Sequence, residues 1–297
     1  MGLIPDEYRK SGKITGEVKS LVRSAVKPGV GYIEICDFVK REVESRGGRL
    51  AFPTGIGVNE VTAHYAPQEG DDSVFREGDL VKVDFGVHVD GYVTDTSVSV
   101  TYNPEYNLLL EATGRSLEAA IATARRDQRA GEIGREIHRE AARFGFKTIE
   151  NLTGHTVDRY VVHAGKSIPN LFTPGVQPLK KGEVFAIEPF LTFGTAAGYV
   201  VDGSSKTIFS IVARKKTGVP ELDALADMVW AERKTLPFTP RWYAAELGAR
   251  KVAGMVERLV AKKIVRAYPT LVEASGSPVA QFEHTMALDE GGLVVLT

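Results

Sequence analysis

Apolar positions recur at helical spacing between residues 6 and 46, broken by Pro28-Gly29-Val30-Gly31, so the pattern predicts two helices there. The second carries Ile33, Ile35, Phe38 and Val39, with its charges turned the other way. A strand is expected around Leu50–Gly57, then an irregular stretch from Asn59 to Asp72. Residues 80–100 alternate β-branched and polar positions on either side of Asp90-Gly91, a dipeptide that favours a type I′ turn, and predict a long hairpin. Helical spacing returns over 105–127 and 132–144, with Gly131 between them and Gly145 as a stop. A Gly- and Pro-punctuated stretch runs from Gly154 to Gly182, and strands are expected near 183–193, 205–213, 279–289 and 293–297. Residues 217–266 are helical and more charged, a helical insert in a β-rich half. Helices followed by strands thus occur twice, a faint echo of two similar halves with a site at their junction.

Composition narrows the class. The 297 residues are near the upper limit for one hydrophobic core, and 43% hydrophobic content is ample to offset chain entropy. With 37 Lys+Arg against 38 Asp+Glu the net charge is −1, so no general attraction to nucleic acid is expected. The single cysteine, Cys36, can form neither an internal disulfide nor a zinc-thiolate cluster and fits a reducing compartment. No apolar run reaches bilayer length, and Met1-Gly2-Leu3-Ile4-Pro5-Asp6 holds no apolar signal core. The expectation is a cytoplasmic protein without a membrane partner.

The hairpin has testable geometry. If the turn centres on Asp90-Gly91, cross-strand partners have numbers summing to 181, which sets Asp95 opposite Gly86 and Asp84 opposite Ser97. Asp84 and Asp95 are then diagonal neighbours on one face, within about 8 Å. A slip of one residue would send them to opposite faces. Two like charges so placed are either solvated on an open face or bridged by a metal, and the hairpin alone leaves both readings open.

Two more carboxylates stand in apolar runs: Glu188 in Val184-Phe185-Ala186-Ile187-Glu188-Pro189-Phe190 and Glu283 in Val279-Ala280-Gln281-Phe282-Glu283. An ionised group inside such a strand needs a partner or a metal, whereas an outward-facing position on a half-exposed strand needs neither. His64, His155 and His163 are each, taken singly, as compatible with packing as with ligation. His88 and His138 are expected on surface faces of a strand and a helix, and His284 on the face opposite Glu283.

Several stretches together resemble the methionine aminopeptidases of type II, in their short archaeal form. They are Ala51-Phe52-Pro53-Thr54-Gly55 with Ala63-His64-Tyr65; Val83-Asp84-Phe85-Gly86 with Asp90-Gly91 and Thr94-Asp95-Thr96; Leu152-Thr153-Gly154-His155; His163-Ala164-Gly165-Lys166; Ala186-Ile187-Glu188-Pro189; and Ala280-Gln281-Phe282-Glu283-His284-Thr285. They occur in the family's order over most of the chain. The resemblance implies an α+β pita-bread (creatinase/aminopeptidase) fold, one catalytic domain over residues 1–297. Its two pseudo-symmetric halves would enclose a dinuclear metal site. The segment 217–266, with Leu236-Pro237-Phe238 and Arg241-Trp242, resembles the helical insert subdomain that type II members carry before the last catalytic strand. Residues 194–216 match only loosely.

The resemblance further implies five metal ligands, Asp84, Asp95, His155, Glu188 and Glu283, with Asp95 and Glu283 bridging. Four carboxylates and one imidazole suit two divalent ions among Mn, Fe, Co and Zn, and two ions sharing one water lower its pKa. Glu188 would be general base, His163 donor to the scissile carbonyl, and His64 the contact to the leaving amine. Phe52 and Tyr268 match pocket positions, and Val162 is a third candidate wall. The implied activity is removal of the initiator methionine from new proteins and peptides by a cytoplasmic monomer. An X-Pro aminopeptidase or prolidase on the same fold is the first competitor, and a non-catalytic binding relative the second. The Phe52 segment and the insert oppose the former, the complete ligand set the latter.

Overall fold

In the computed structural model, which describes residues 2–125 and 128–297, the helix-then-strand order repeats. Helices α1 (Asp6–Ala25) and α2 (Tyr32–Ser45) precede β1 (Arg49–Leu50), β2 (Gly55–Val58), β3 (Val61–Ala63) and the hairpin of β4 (Leu80–Val89) and β5 (Tyr92–Thr101). Helices α3 (Asn107–Thr123) and α4 (Ala130–Arg143) precede β6 (Phe146–Thr148), β7 (Thr153–Val157), β8 (Ser167–Pro169), β9 (Val184–Ile187), β10 (Phe190–Phe193) and β11 (Val200–Ile211). Then come α5 (Pro220–Arg233), α6 (Ala244–Leu247) and α7 (Ala249–Ala261), followed by β12 (Val265–Glu273), β13 (Val279–Gln281), β14 (His284–Asp289) and β15 (Gly292–Val295).

Each helix pair covers one sheet. Val18, Val22, Val39 and Val43 of α1 and α2 pack on Val83, Phe85 and Val87 of β4, whose other neighbours are β1, β2 and β5. Leu117, Ile133 and Ile137 of α3 and α4 pack on Phe185, Ile187 and Met286, in the sheet ordered β15-β14-β9-β7-β8. Each such fully buried side chain contributes roughly 1.5–3 kcal/mol, and this packing holds the charged residues between the two halves in place. A third core joins α5 and α7 to β11 and β12 through Leu222, Leu225, Val229, Val252, Val256, Phe209 and Val265. No helix among the described residues is long and apolar enough to cross a membrane.

The hairpin register is the one its turn dictates. Gly86 pairs with Asp95 and Asp84 with Ser97, around Asp90 and Gly91 at φ 50° and 89°, the positive pair that a type I′ turn demands. Other expectations need correction. The strand expected over 183–193 is two strands, β9 and β10, in different sheets, because Pro189 has no N–H to continue the ladder. The run 279–289 divides in the same way into β13 and β14, so Glu188 and Glu283 stand in breaks rather than inside strands. The strand expected over 50–57 is the separate pieces β1 and β2, both on β4.

Strand β3 lies within the stretch expected to be irregular, β7 and β8 within the Gly- and Pro-punctuated one, and β11 starts at Val200. Strand β12 begins at Val265, where helix was expected to continue to 266. Gly131 is inside α4 rather than before it, and a Cβ there would come 2.1 Å from the Thr173 carbonyl oxygen. Gly145 ends α4 at φ 80° as expected. Helix α3 stops at Thr123, and the last residues of the helix expected over 105–127, Arg126 and Asp127, lie outside the described residues.

Candidate metal centre

The hairpin register puts Asp84 and Asp95 on one face, and Gly86 leaves room beside them for the Phe52 ring. A Cβ at Gly86 would come 2.4 Å from Phe52 Cε1. The break between β13 and β14 is stitched to the open side of β5. Thr285 Oγ1 accepts from Asp95 N at 2.7 Å and donates to the Asp95 carbonyl at 2.8 Å. Glu283 N donates to the Ser97 carbonyl at 3.2 Å, while Thr96 Oγ1 and Lys19 Nζ donate to the Glu283 carbonyl at 2.9 and 2.6 Å. With its backbone held by α1 and β5 of the first half, Glu283 turns its carboxylate towards Asp95.

His155 comes from β7, where it pairs with Ala186 and Ser167. Its Nε2 lies 3.6 Å from Asp95 Oδ2 and 3.5 Å from Glu188 Oε1, beyond a good hydrogen bond. One ligand atom each from Asp95, His155 and Glu283 lie within 4.8 Å of one another, all three residues buried. Gln281 Nε2 donates to Glu188 Oε2 at 3.2 Å, and Gln281 Oε1 accepts from Ser97 Oγ at 3.0 Å. Asp84, Asp95, His155 and Glu188 together line the floor of a cleft of about 660 Å³.

Metal-free, this cluster is electrostatically costly. Burial raises the Asp84 carboxyl to about 7, although the Gln281 hydrogen bond opposes it. Burial, then the neighbouring carboxylates, raise Asp95, Glu188 and Glu283 well above the ordinary range. Burial drives His155 well below its ordinary value, so it is a neutral imidazole. Asp84 Oδ1, Asp95 Oδ1 and Glu283 Oε1 are buried with no hydrogen-bond partner among the described residues. Unpartnered carboxylate oxygens aimed at one point, beside a neutral imidazole, fit divalent cations and little else.

The other residues singled out from the sequence line the same cleft. The His163 ring sits edge-on to His155, centroids 4.1 Å apart, and opens to solvent. His64 holds φ 64°, left-handed backbone that costs about 1–2 kcal/mol outside glycine. Burial, then His163, pull His64 down to about 4, so it too is neutral, and its Nδ1 has no hydrogen-bond partner among the described residues. The Tyr268 ring lies 5.9 Å from that of His64, its hydroxyl 2.9 Å from Ser210 Oγ, and Phe52 and Val162 complete the walls.

His88 is not a surface residue. It pairs with Arg49 of β1, is 4% exposed, accepts from Gly91 N through Nδ1, and has the Tyr160 ring against its own, centroids 6.0 Å apart. His138 is exposed on α4 as expected. Two residues at the centre were not singled out, Lys19 and Gln281. A lysine in the buried stripe of α1 was the available sign for the first, and strand spacing of two from Glu283 for the second.

Residues 6–229 match the model of metallopeptidase family M24. The chain belongs to that family. Its M24 relatives include a methionine aminopeptidase of Pyrococcus horikoshii, 38% identical over 293 residues, 98% of this chain and 99% of that one. Among solved structures, the M24 chain superposes on a methionine aminopeptidase of Thermotoga maritima with TM-score 0.70 and 25% identity, over 99% of this chain and 97% of that one. A thermophilic Arx1 gives TM-score 0.84 at 18% identity, over 98% and 89%, a likeness of fold alone. The fold is the pita-bread fold of these M24 proteins.

Proposed function

We propose that this M24 chain is a type II methionyl aminopeptidase that hydrolyses the bond after an N-terminal methionine in new proteins and peptides. The observation that carries the reading is the convergence of one neutral imidazole and four carboxylates, with Asp84, Asp95 and Glu188 on the floor of the cleft beside His155 and Glu283 buried next to Asp95. Asp84, Asp95, His155, Glu188 and Glu283 would hold two divalent ions, Co, Mn, Fe or Zn. When bound, such ions act as Lewis acids and bring the pKa of the attacking water towards neutrality.

The remaining work falls to the side chains. Glu188, steadied by Gln281, takes the proton of the attacking water and passes it to the amine as the C–N bond breaks. His163, beside His155 and open to the cleft, donates to the scissile carbonyl oxygen as negative charge gathers there. His64, neutral and with an unpartnered ring nitrogen, contacts the amine side and positions the leaving group. Phe52 and Tyr268, with Val162, wall the slot for the thioether side chain, which offers almost no hydrogen bonding. The insert 217–266, whose helices pack on β11 and β12, marks the type II form. The reading places the enzyme in the cytoplasm, acting as a monomer.

The test is hydrolysis of Met-Ala-Ser, Pro-Ala-Ser and Xaa-Pro peptides by chelator-stripped protein, with Mn, Fe, Co and Zn restored in turn. Metal-dependent release of methionine alone is the expected result. Cleavage at proline instead would transfer the site to an X-Pro enzyme, and absence of metal binding would remove the enzymatic reading.

A further inference from the structure

The charges lining the cleft are segregated. Among the described lining residues the carboxylates are Asp84, Asp95 and Glu188, all on the floor, whereas the charged residues at the outer end are Arg214 and Arg266. Strands β11 and β12 build that wall. Ile208 pairs with Tyr268 and Ser210 with Arg266, so Arg266 lies on the same face as Tyr268, two positions before it and roughly 7 Å away along β12. Buried Asp95 and His155 mark the closed end, and Val161 and Val212, 36% and 49% exposed, mark the open one.

An N-terminal methionine that reaches the floor therefore leaves the rest of its chain emerging past the two arginines. The cleft is several times what one methionine fills, so it accommodates the residues that follow. Arg266 is exposed and makes no ion pair among the described residues. Arg214 lies over the Trp230 ring at 4.7 Å, and its partner Asp227, 3.5 Å away, is shared with Lys216 at 2.9 Å. Both guanidiniums are thus available to a further carboxylate, and Arg presents a planar fork matched to that group.

We propose that Arg266 and Arg214 read acidic side chains downstream of the methionine, so that the preferred substrates carry Asp or Glu at the second to fourth residue after the scissile bond. The inference rests on the aminopeptidase reading and adds a substrate class to it. An extended chain advances about 3.3 Å per residue, which brings those positions to the rim. Since an exposed pair of charges is a small effect, the advantage in kcat/KM is about three- to fivefold at low salt and shrinks as salt rises.

The experiment measures kcat/KM for Met-Ala peptides whose following residues are Glu, Gln or Lys, at low and high salt, with the metal-restored full chain. The order Glu above Gln above Lys is expected. The Glu/Lys ratio should fall towards one in R266Q with R214Q, and R266E should reverse it. Equal rates for the three peptides, or a preference that survives R266E, would overturn the inference while leaving the aminopeptidase reading standing. Failure to cleave any of them would overturn both.

Discussion

Stripping the metal should make the stability of this protein fall as pH rises, and the size of the fall follows from Asp84. Its carboxyl moves from 3.8 to about 7 on folding, chiefly through burial, which corresponds to about 4 kcal/mol of preference for the protonated form. A raised carboxyl means that the folded state binds more protons than the unfolded chain between those two values. Stability is therefore lost as pH rises through that window and stays low above it. From about pH 5 to about pH 8 the Asp84 share of the loss is about 2.5 kcal/mol, or a fall in Tm of about 5 °C for a chain this long. Asp95, Glu188 and Glu283 are raised in the same direction and add to it. Bound cations hold the carboxylates ionised in the folded state and should flatten the profile.

The assay is urea and thermal unfolding of chelated and metal-loaded protein across that pH range, with D84N as control. D84N removes one titrating group and one like charge, so its chelated form should show the shallower slope. A chelated wild type that is equally stable at both ends would refute the reasoning, as would a D84N profile as steep as the wild type's.

Glu188→Gln should fold normally and lose at least about 10²-fold in kcat, measured on Met-Ala-Ser, because the proton acceptor is gone; near-normal turnover would remove Glu188 from that role. His64→Ala should retain its metal content by elemental analysis while kcat/KM drops about tenfold or more, as a group that positions the substrate is lost. Loss of metal in that variant would show that His64 is itself a ligand. Cys36 is 3% exposed and burial pushes its thiol up to about 12, so at neutral pH it should resist iodoacetamide until the protein is unfolded. Stoichiometric labelling under native conditions would contradict that burial.

What was legible in the sequence depended on how local its cause was. The hairpin register could be counted out from Asp90-Gly91, since a two-residue I′ turn leaves one way to pair the strands. The paired helices followed from apolar spacing. The breaks at Glu188-Pro189 and Phe282-Glu283 were hidden, because each interrupts an apolar run whose two ends are claimed by different sheets, a decision made by tertiary packing. Strand β12 was missed because charged Lys262, Lys263 and Arg266 continue the insert's character into it, and Pro269 interrupts its alternation. The His88 ring is packed by Tyr160, 72 positions later in the chain (160 − 88), and nothing near His88 in sequence announces it. The site residues themselves stood out through their order along the chain, while Lys19 and Gln281, which hold the backbone or carboxylate of others, carried no motif of their own beyond their place in a buried stripe or strand.

The stitching of β5 to the break before β14 also constrains when this molecule can become itself. Asp84 and Asp95 are synthesised and can pair early, whereas the carbonyl and carboxylate of Glu283 that face them arrive 188 residues after Asp95 (283 − 95). Until then the hairpin has nothing to set against its two acidic groups, and the open side of β5 lacks Thr285 and Gln281 as hydrogen-bond partners. Completion of the centre is thus a late event in the life of the chain. A protein proposed to act on the first residue of others assembles its own machinery only once Glu283 and Thr285 have been made.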